Sequence, residues 1–257
     1  MVAPFRMFMP VIAVMLIAAS PSAWAEVIYR EKFSVGQSGT SQPLTYNGWN
    51  AHRATGGAQI GSTGDLAAVQ REDSDAPDGG PAVNSNPVDS EGLTGRVQMD
   101  LLQGTATPVD AIVWTAEFTI DRDVWDVTAL QWYSQHTAGV DHMHAVVRIA
   151  GAWYVSDAYQ THDAGSQTWE LNSLSFAGTD WIPLSFTPGT QLESPISGTA
   201  QTLPDGQIGA FGLYYDVQTG GGRFDNLDEF AIVVIPEPAS LVLLGAGGLV
   251  LLRRRRG

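Results

Sequence analysis

The sequence predicts an all-β chain folded as an antiparallel β-sandwich of the jelly-roll or concanavalin-like kind. Between Glu26 and Ile235 alternation of apolar and polar residues is frequent and helical periodicity is hard to find. The gaps between the alternating runs are filled by Gly, Pro, Asp and Ser, which is the pattern of many short strands joined by polar turns. The third observation is size. This stretch of about 210 residues has no alignable internal repeat and no long linker, so it reads as one domain, large enough to bury a core without covalent staples. Cysteine is absent, which excludes disulfides, thiolate catalysis and cysteine-ligated metals.

Taken in order, Met1 to Ala25 has one basic residue, Arg6, an apolar stretch from Met7 to Ala19 and the small-residue site Ala23-Trp24-Ala25. This is the layout of a secretory signal peptide cleaved after Ala25, so residues 26–234 form the expected sandwich domain. Strands are expected at Val27 to Phe33, Ala111 to Ile120, Thr128 to Ser134, His144 to Ala150, Ala152 to Ser156, Trp169 to Phe176, Trp181 to Phe186, Gln207 to Asp216 and Arg223 to Val234. The clearest alternation places Ile112, Trp114, Ala116, Phe118 and Ile120 on one face and Thr115, Glu117 and Thr119 on the other, the pattern of a half-buried strand. Ala150-Gly151-Ala152 reads as a tight hairpin and Asp121-Arg122-Asp123 as a turn. Residues 73–92, with Asp73, Asp75, Asp78, Asp89 and Glu91 among prolines and glycines, form a flexible acidic loop too polar to pack. The spacing at Asp73-Ser74-Asp75-Ala76-Pro77-Asp78-Gly79 misses the calcium-loop pattern by one place.

Charge narrows the partners. Of 13 basic residues, Arg6 and Arg253 to Arg256 lie in the terminal segments, as does Glu237 of the 27 acidic residues, so the body retains 8 basic and 26 acidic residues, near −18. Such a surface repels phosphate backbones, which excludes nucleic acid as a partner and favours neutral ligands or divalent cations.

Chemistry is sparse. No nucleophile elbow, zinc-protease helix motif, phosphate-binding loop or dinucleotide fingerprint is present, nor a run of carboxylates at the spacing of sandwich glycoside hydrolases. No catalytic residue is assigned. Aromatic pairs at Trp132-Tyr133, Trp153-Tyr154 and Tyr214-Tyr215 each send one ring to either face of a strand, and outward rings suit the CH faces of sugars. Tyr133, Trp153 and Tyr154 are therefore the candidate carbohydrate-binding rings, with His142 and His144 as hydrogen-bonding partners. His142 and His144, two apart on one strand face, could also chelate a transition metal; His136, Asp141 and His162 lie nearby in sequence, and no third ligand is assigned.

The last residues are the most specific. Pro236-Glu237-Pro238 is followed by an apolar run over residues 239–252 and by Arg253-Arg254-Arg255-Arg256. The order resembles the PEP-CTERM sorting tail, also labelled the ice-binding protein C-terminal domain, in residues 235–257. As a helix the 14-residue run would measure about 21 Å, a short transmembrane span that the arginines extend by snorkelling to the headgroups on the cytoplasmic side. The resemblance implies an exosortase-like membrane peptidase as partner, transient residence in the inner membrane, and release to the cell surface or beyond. The body, through Tyr29 to Phe33, Asn47-Gly48-Trp49 and Arg223 to Asn226, resembles jelly-roll carbohydrate-binding modules, which implies a structural calcium held by Glu31 and Asp225 and extracellular polysaccharide as ligand. The expected protein is thus an exported, non-catalytic surface or matrix protein. A polysaccharide lyase and a purely structural or adhesive protein are the alternatives.

Overall fold

The computed structural model describes residues 25–31, 33, 42–44, 48–55, 59–60, 67–70, 96–100, 110–136, 141–161, 169–188, 191–217 and 224–236. Outside them lie the leader before Ala25, the acidic loop 73–92, and the tail from Glu237 with its apolar run and arginines. Among the described residues no helix is long and apolar enough to cross a membrane.

All the described pairing is antiparallel, in two large sheets. The first runs in the order β11 (Glu170–Ser175), β8 (Trp125–His136), β16 (Phe224–Pro236), β6 (Arg96–Asp100), β5 (Ala67–Gln70) and β2 (Gln42–Pro43), with β1 (Glu26–Glu31) also paired to β16. The second runs β12 (Trp181–Leu184), β10 (Ala152–Thr161), β9 (Asp141–Ile149), β15 (Ile208–Val217), β7 (Ala111–Thr115), β3 (Trp49–Thr55) and β4 (Gln59–Ile60). A two-stranded ribbon, β13 (Phe186–Thr187) and β14 (Gln191–Leu192), stands apart from both.

Alternation decides which side chains meet between the sheets. From the first sheet come Leu130 and Trp132 of β8, Leu174 of β11, and Leu227, Phe230, Ile232 and Val234 of β16. From the second come Trp49, Ala51, Ala111, Val113, Ala145, Val147, Phe211, Leu213 and Tyr215. Trp49 bridges the layers, edge-on to Phe230 at 5.0 Å and to Phe33 at 5.2 Å, and its indole N–H donates to the Tyr29 hydroxyl at 3.2 Å. Aromatic pairs in this geometry add to the area they bury, by about 1 kcal/mol each.

The second sheet is covered on its outer face as well. The ribbon lays Phe186 and Leu192 over Ile112, Trp114, Val146, Trp153, Val155 and Tyr214, which form a second apolar cluster. This changes the reading of Ala111 to Ile120. The strand ends at Thr115, and its five residues are all buried rather than alternately exposed, because Ala111 and Val113 face the main core while Ile112 and Trp114 face the ribbon.

Two turns match their expected chemistry. Ile149 pairs with Ala152 across a two-residue turn in which Ala150 has φ 50° and Gly151 φ 87°, the two positive values of a type I′ hairpin. Before β8, the backbone N–H groups of Val124 and Trp125 both donate to the Asp121 carbonyl. The strands β3, β5 and β6 fall in stretches without clear alternation.

The expected calcium pair lies partly outside the described residues. The register sets Glu31 opposite Phe230, five residues along β16 from Asp225, an extended separation of about 16 Å. Glu31 Oε1 accepts the Phe33 N–H at 2.7 Å, while the Asp225 side chain lies outside the described residues.

Candidate functional site

Two surface regions collect the polar groups, one on each sheet. On β9, His142 and His144 point to the outer face of the second sheet, as residues two apart must. β15 runs beside β9 with Asp216 opposite His142 and Tyr214 opposite His144. On the other flank β10 carries an irregularity between Val155 and Tyr159 that brings Tyr159 opposite His144. Ser156 fixes this bulge: its hydroxyl donates to the Ala158 carbonyl at 2.6 Å and accepts the Ala145 N–H at 2.9 Å.

Four side chains thereby converge. One ligand atom from each of His142, His144 and Asp216 lies within 4.8 Å of the others, with His142 Nδ1 3.6 Å from Asp216 Oδ2. Tyr159, 45% exposed, stacks on His142 at 3.9 Å between ring centres and tilts against His144 at 5.2 Å. His144 Nδ1 lies 2.7 Å from the Ser156 carbonyl, a contact that requires the proton on Nδ1 and leaves a lone pair on Nε2. Burial holds His144 below the ordinary histidine value, while the Ser156 carbonyl and Asp216 pull the other way.

Beneath this group Asp110 ties the sheet to the segment that covers it. Its Oδ2 accepts the Tyr214 hydroxyl at 2.8 Å and the Ser194 hydroxyl at 2.7 Å, and its Oδ1 accepts the Val217 N–H at 3.0 Å. Burial, and then the Asp110 charge, push the Tyr214 hydroxyl well above the usual tyrosine range. The role of Asp110 is structural.

The second region is the outer face of the first sheet. Leu130, Trp132 and Ser134 of β8 are buried inward, so Gln131, Tyr133 and Gln135 alternate to the outer face, where Gln131 and Tyr133 are half-buried and Gln135 is itself buried. Tyr133 is half-buried, flanked by Leu171 on β11 and Asp228 on β16. Leu171 is 58% exposed. Beside them Asn226 Nδ2 donates to Gln135 Oε1 at 3.1 Å, and Asn226 Oδ1 is buried without a partner.

The five candidate sugar-binding residues therefore do not form one platform. Tyr133 lies on one side of the sandwich, and His142 and His144 on the other. Trp153 is 4% exposed, packed edge-on to Phe186 at 4.9 Å and to Trp114 at 5.2 Å, with the Arg148 guanidinium 5.4 Å from its ring. A ring so covered is not a platform. Tyr154 turns the other way and packs against the main core. Tyr159 and Asp216 are the residues that local spacing did not single out. Their places depend on a bulge and on the register between strands far apart in sequence. His162 lies outside the described residues, as do the side chains of His136 and Asp141.

These features define a two-sheet antiparallel sandwich with an amide-rich face on one sheet and a histidine-carboxylate cluster on the other. The chain also carries a sorting signal: residues 234–256 match the PEP-CTERM protein-sorting motif, the mark of chains sent by an exosortase to the surface. No curated protein sequence matches the chain. Among solved structures it is similar to the family 11 carbohydrate-binding module of the cellulosomal cellulase Lic26A-Cel5E of Clostridium thermocellum, at 11% identity and TM-score 0.39 over 80% of this chain and 95% of that one. It is also similar to TmCBM27, a carbohydrate-binding module described for specific mannan recognition, at 13% identity and TM-score 0.35 over 82% and 98%. A third is a glycosyl hydrolase family protein from Mycobacterium fortuitum, at 11% identity and TM-score 0.33 over 81% and 99%. Likeness at this level says nothing of what this chain binds.

Proposed function

We propose that the protein is exported, sorted to the cell surface or extracellular matrix through its PEP-CTERM tail, and there binds neutral polysaccharide without turning it over. The single observation behind the binding surface is the setting of Tyr133: a half-buried ring on an outward sheet face, beside the exposed Leu171 and the half-buried Gln131, with the buried Gln135, Asn226 and Asp228 alongside as support. Apolar rings receive the CH faces of pyranoses, and side-chain amides both donate to and accept from hydroxyls. Part of the corresponding face of the second sheet, over Ile112, Trp114 and Trp153, is taken up by the β13–β14 ribbon. A body near −18 repels anionic polymers, which supports a neutral ligand.

Affinity electrophoresis against neutral and anionic polysaccharides tests the reading. The wild-type protein is expected to be retarded by a neutral polymer, and Tyr133→Ala to lose about tenfold in affinity with an unchanged thermal melt. Equal retardation of the variant, or none of the wild type, would remove the platform. Reducing-end and unsaturated-product assays on the same polymers are expected to stay flat; sustained product formation would make the protein an enzyme instead.

A further inference from the structure

We propose that His142, His144 and Asp216 form a binding site for a divalent transition-metal ion of the zinc class, on the side of the sandwich opposite Tyr133. The ligand atoms already lie within 4.8 Å of one another, so small rotamer changes close them around one ion. Two imidazoles and a carboxylate are the donor set of three-ligand zinc sites, whereas calcium and magnesium take oxygen-rich sets.

The orientation of His144 is the stronger sign. Its Nδ1–H is committed to the Ser156 carbonyl, the backbone contact that metal-bound histidines make with their other ring nitrogen. Its Nε2 is consequently an acceptor, on a side chain only 6% exposed, with no hydrogen-bond partner. A buried lone pair without a donor costs free energy, and a cation at this point removes that cost. Ser156 is itself held by the bulge in β10, so the ring is aimed before any ion arrives.

The rest of the cluster suits an ion that keeps one open position. The stacked Tyr159 holds the His142 ring in place from one side, and Asp216 reaches it from the other. The His142 and Asp216 side chains are 21% and 28% exposed, so the fourth position faces solvent and would be taken by water or by an oxygen of another molecule. The acidic body adds a favourable long-range field for cations.

The test is titration of the full chain, stripped with chelator, with zinc chloride against a chromophoric zinc indicator, followed by cobalt substitution. One zinc per chain is expected, with visible cobalt bands of low coordination number. Asp216→Asn, which keeps the shape of the side chain, and His144→Ala should each weaken zinc binding by about tenfold or more. Circular dichroism melts establish that the variants fold, and His142→Gln serves as a second ligand variant if His144→Ala does not. No zinc bound by the wild type, preference for calcium over zinc, or wild-type affinity in the folded variants would each overturn the proposal. The sugar-binding reading stands or falls separately, since Tyr133→Ala should leave zinc binding unchanged.

Discussion

Asp110 is surrounded by donors on both carboxylate oxygens: two hydroxyls, from Tyr214 and Ser194, and the Val217 backbone N–H. Truncating it would strand the Val217 N–H and take the acceptor from the part-buried Ser194 hydroxyl, whereas the Tyr214 hydroxyl keeps the Glu193 carbonyl at 2.9 Å; each lost partner costs about 1 kcal/mol. Asp110→Ala is therefore expected to lower unfolding free energy by about 2 kcal/mol in urea titration. A variant as stable as the wild type would show that the covering segment is not held through this carboxylate. At this scale the sequence was partly legible. The His-x-His spacing on β9 fixed a shared face for His142 and His144 without any knowledge of neighbours. Asp216 was invisible to that reasoning, because it reaches His142 only through the pairing of β9 with β15, and Trp153 was misread because the ring that covers it, Phe186, belongs to another strand.

Strand prediction worked where one face met the core and the other met solvent. Thr128 to Ser134 alternates visibly and lies within β8, whose inward Leu130 and Trp132 are fully buried. Where both faces are covered, the strands β7, β9 and β15 still fall where they are expected, but Ala111 to Ile120 reads as half-buried and β3 is not found. β7 is buried throughout, and β3 gave no readable alternation, with Trp49 and Ala51 in the main core and Ala54 in the outer cluster. Close packing on two sides also explains Gly212 in β15. A Cβ there would sit 2.0 Å from the Val113 carbonyl oxygen and 2.7 Å from the Trp114 Cα, both backbone atoms that cannot swing aside. Gly212→Ala should cost about 3 kcal/mol, the upper range for overpacking, and should separate β15 from β7. Amide exchange localised to these two strands would register the damage; unaltered exchange and an unaltered melt would count against such tight contact.

Over the whole molecule the sequence carried the class of fold and the address more surely than the ligand. A composition rich in alternation and turns is enough for a sandwich, and three blocks in fixed order are enough for a sorting signal. Neither contains the register that decides which outward rings lie together. The sorting motif supplies the fifth prediction. In the native host, mass spectrometry of surface material is expected to show chains lacking Arg253 to Arg256, because the processing peptidase removes the apolar run and the arginines with it. Recovery of the intact arginine end from that material would exclude processing.

β16 does not stop short of the sorting motif. It runs to Pro236, opposite Trp125 of β8, so the folded sheet and the Pro-Glu-Pro segment share a residue. Proline has no N–H to continue the ladder, which makes it a natural last rung. Only Glu237 and Pro238 then separate the sandwich from the apolar run at Ala239, a leash of about 7 Å at full stretch. On the proposed reading, in which the apolar run is held in the membrane until the tail is cut, a body near −18 would be moored close to the headgroups. Mooring at so short a range would restrict how the sandwich can roll, so that the peptidase would meet its substrate in a narrow set of poses, and lengthening the leash with flexible residues would loosen that alignment.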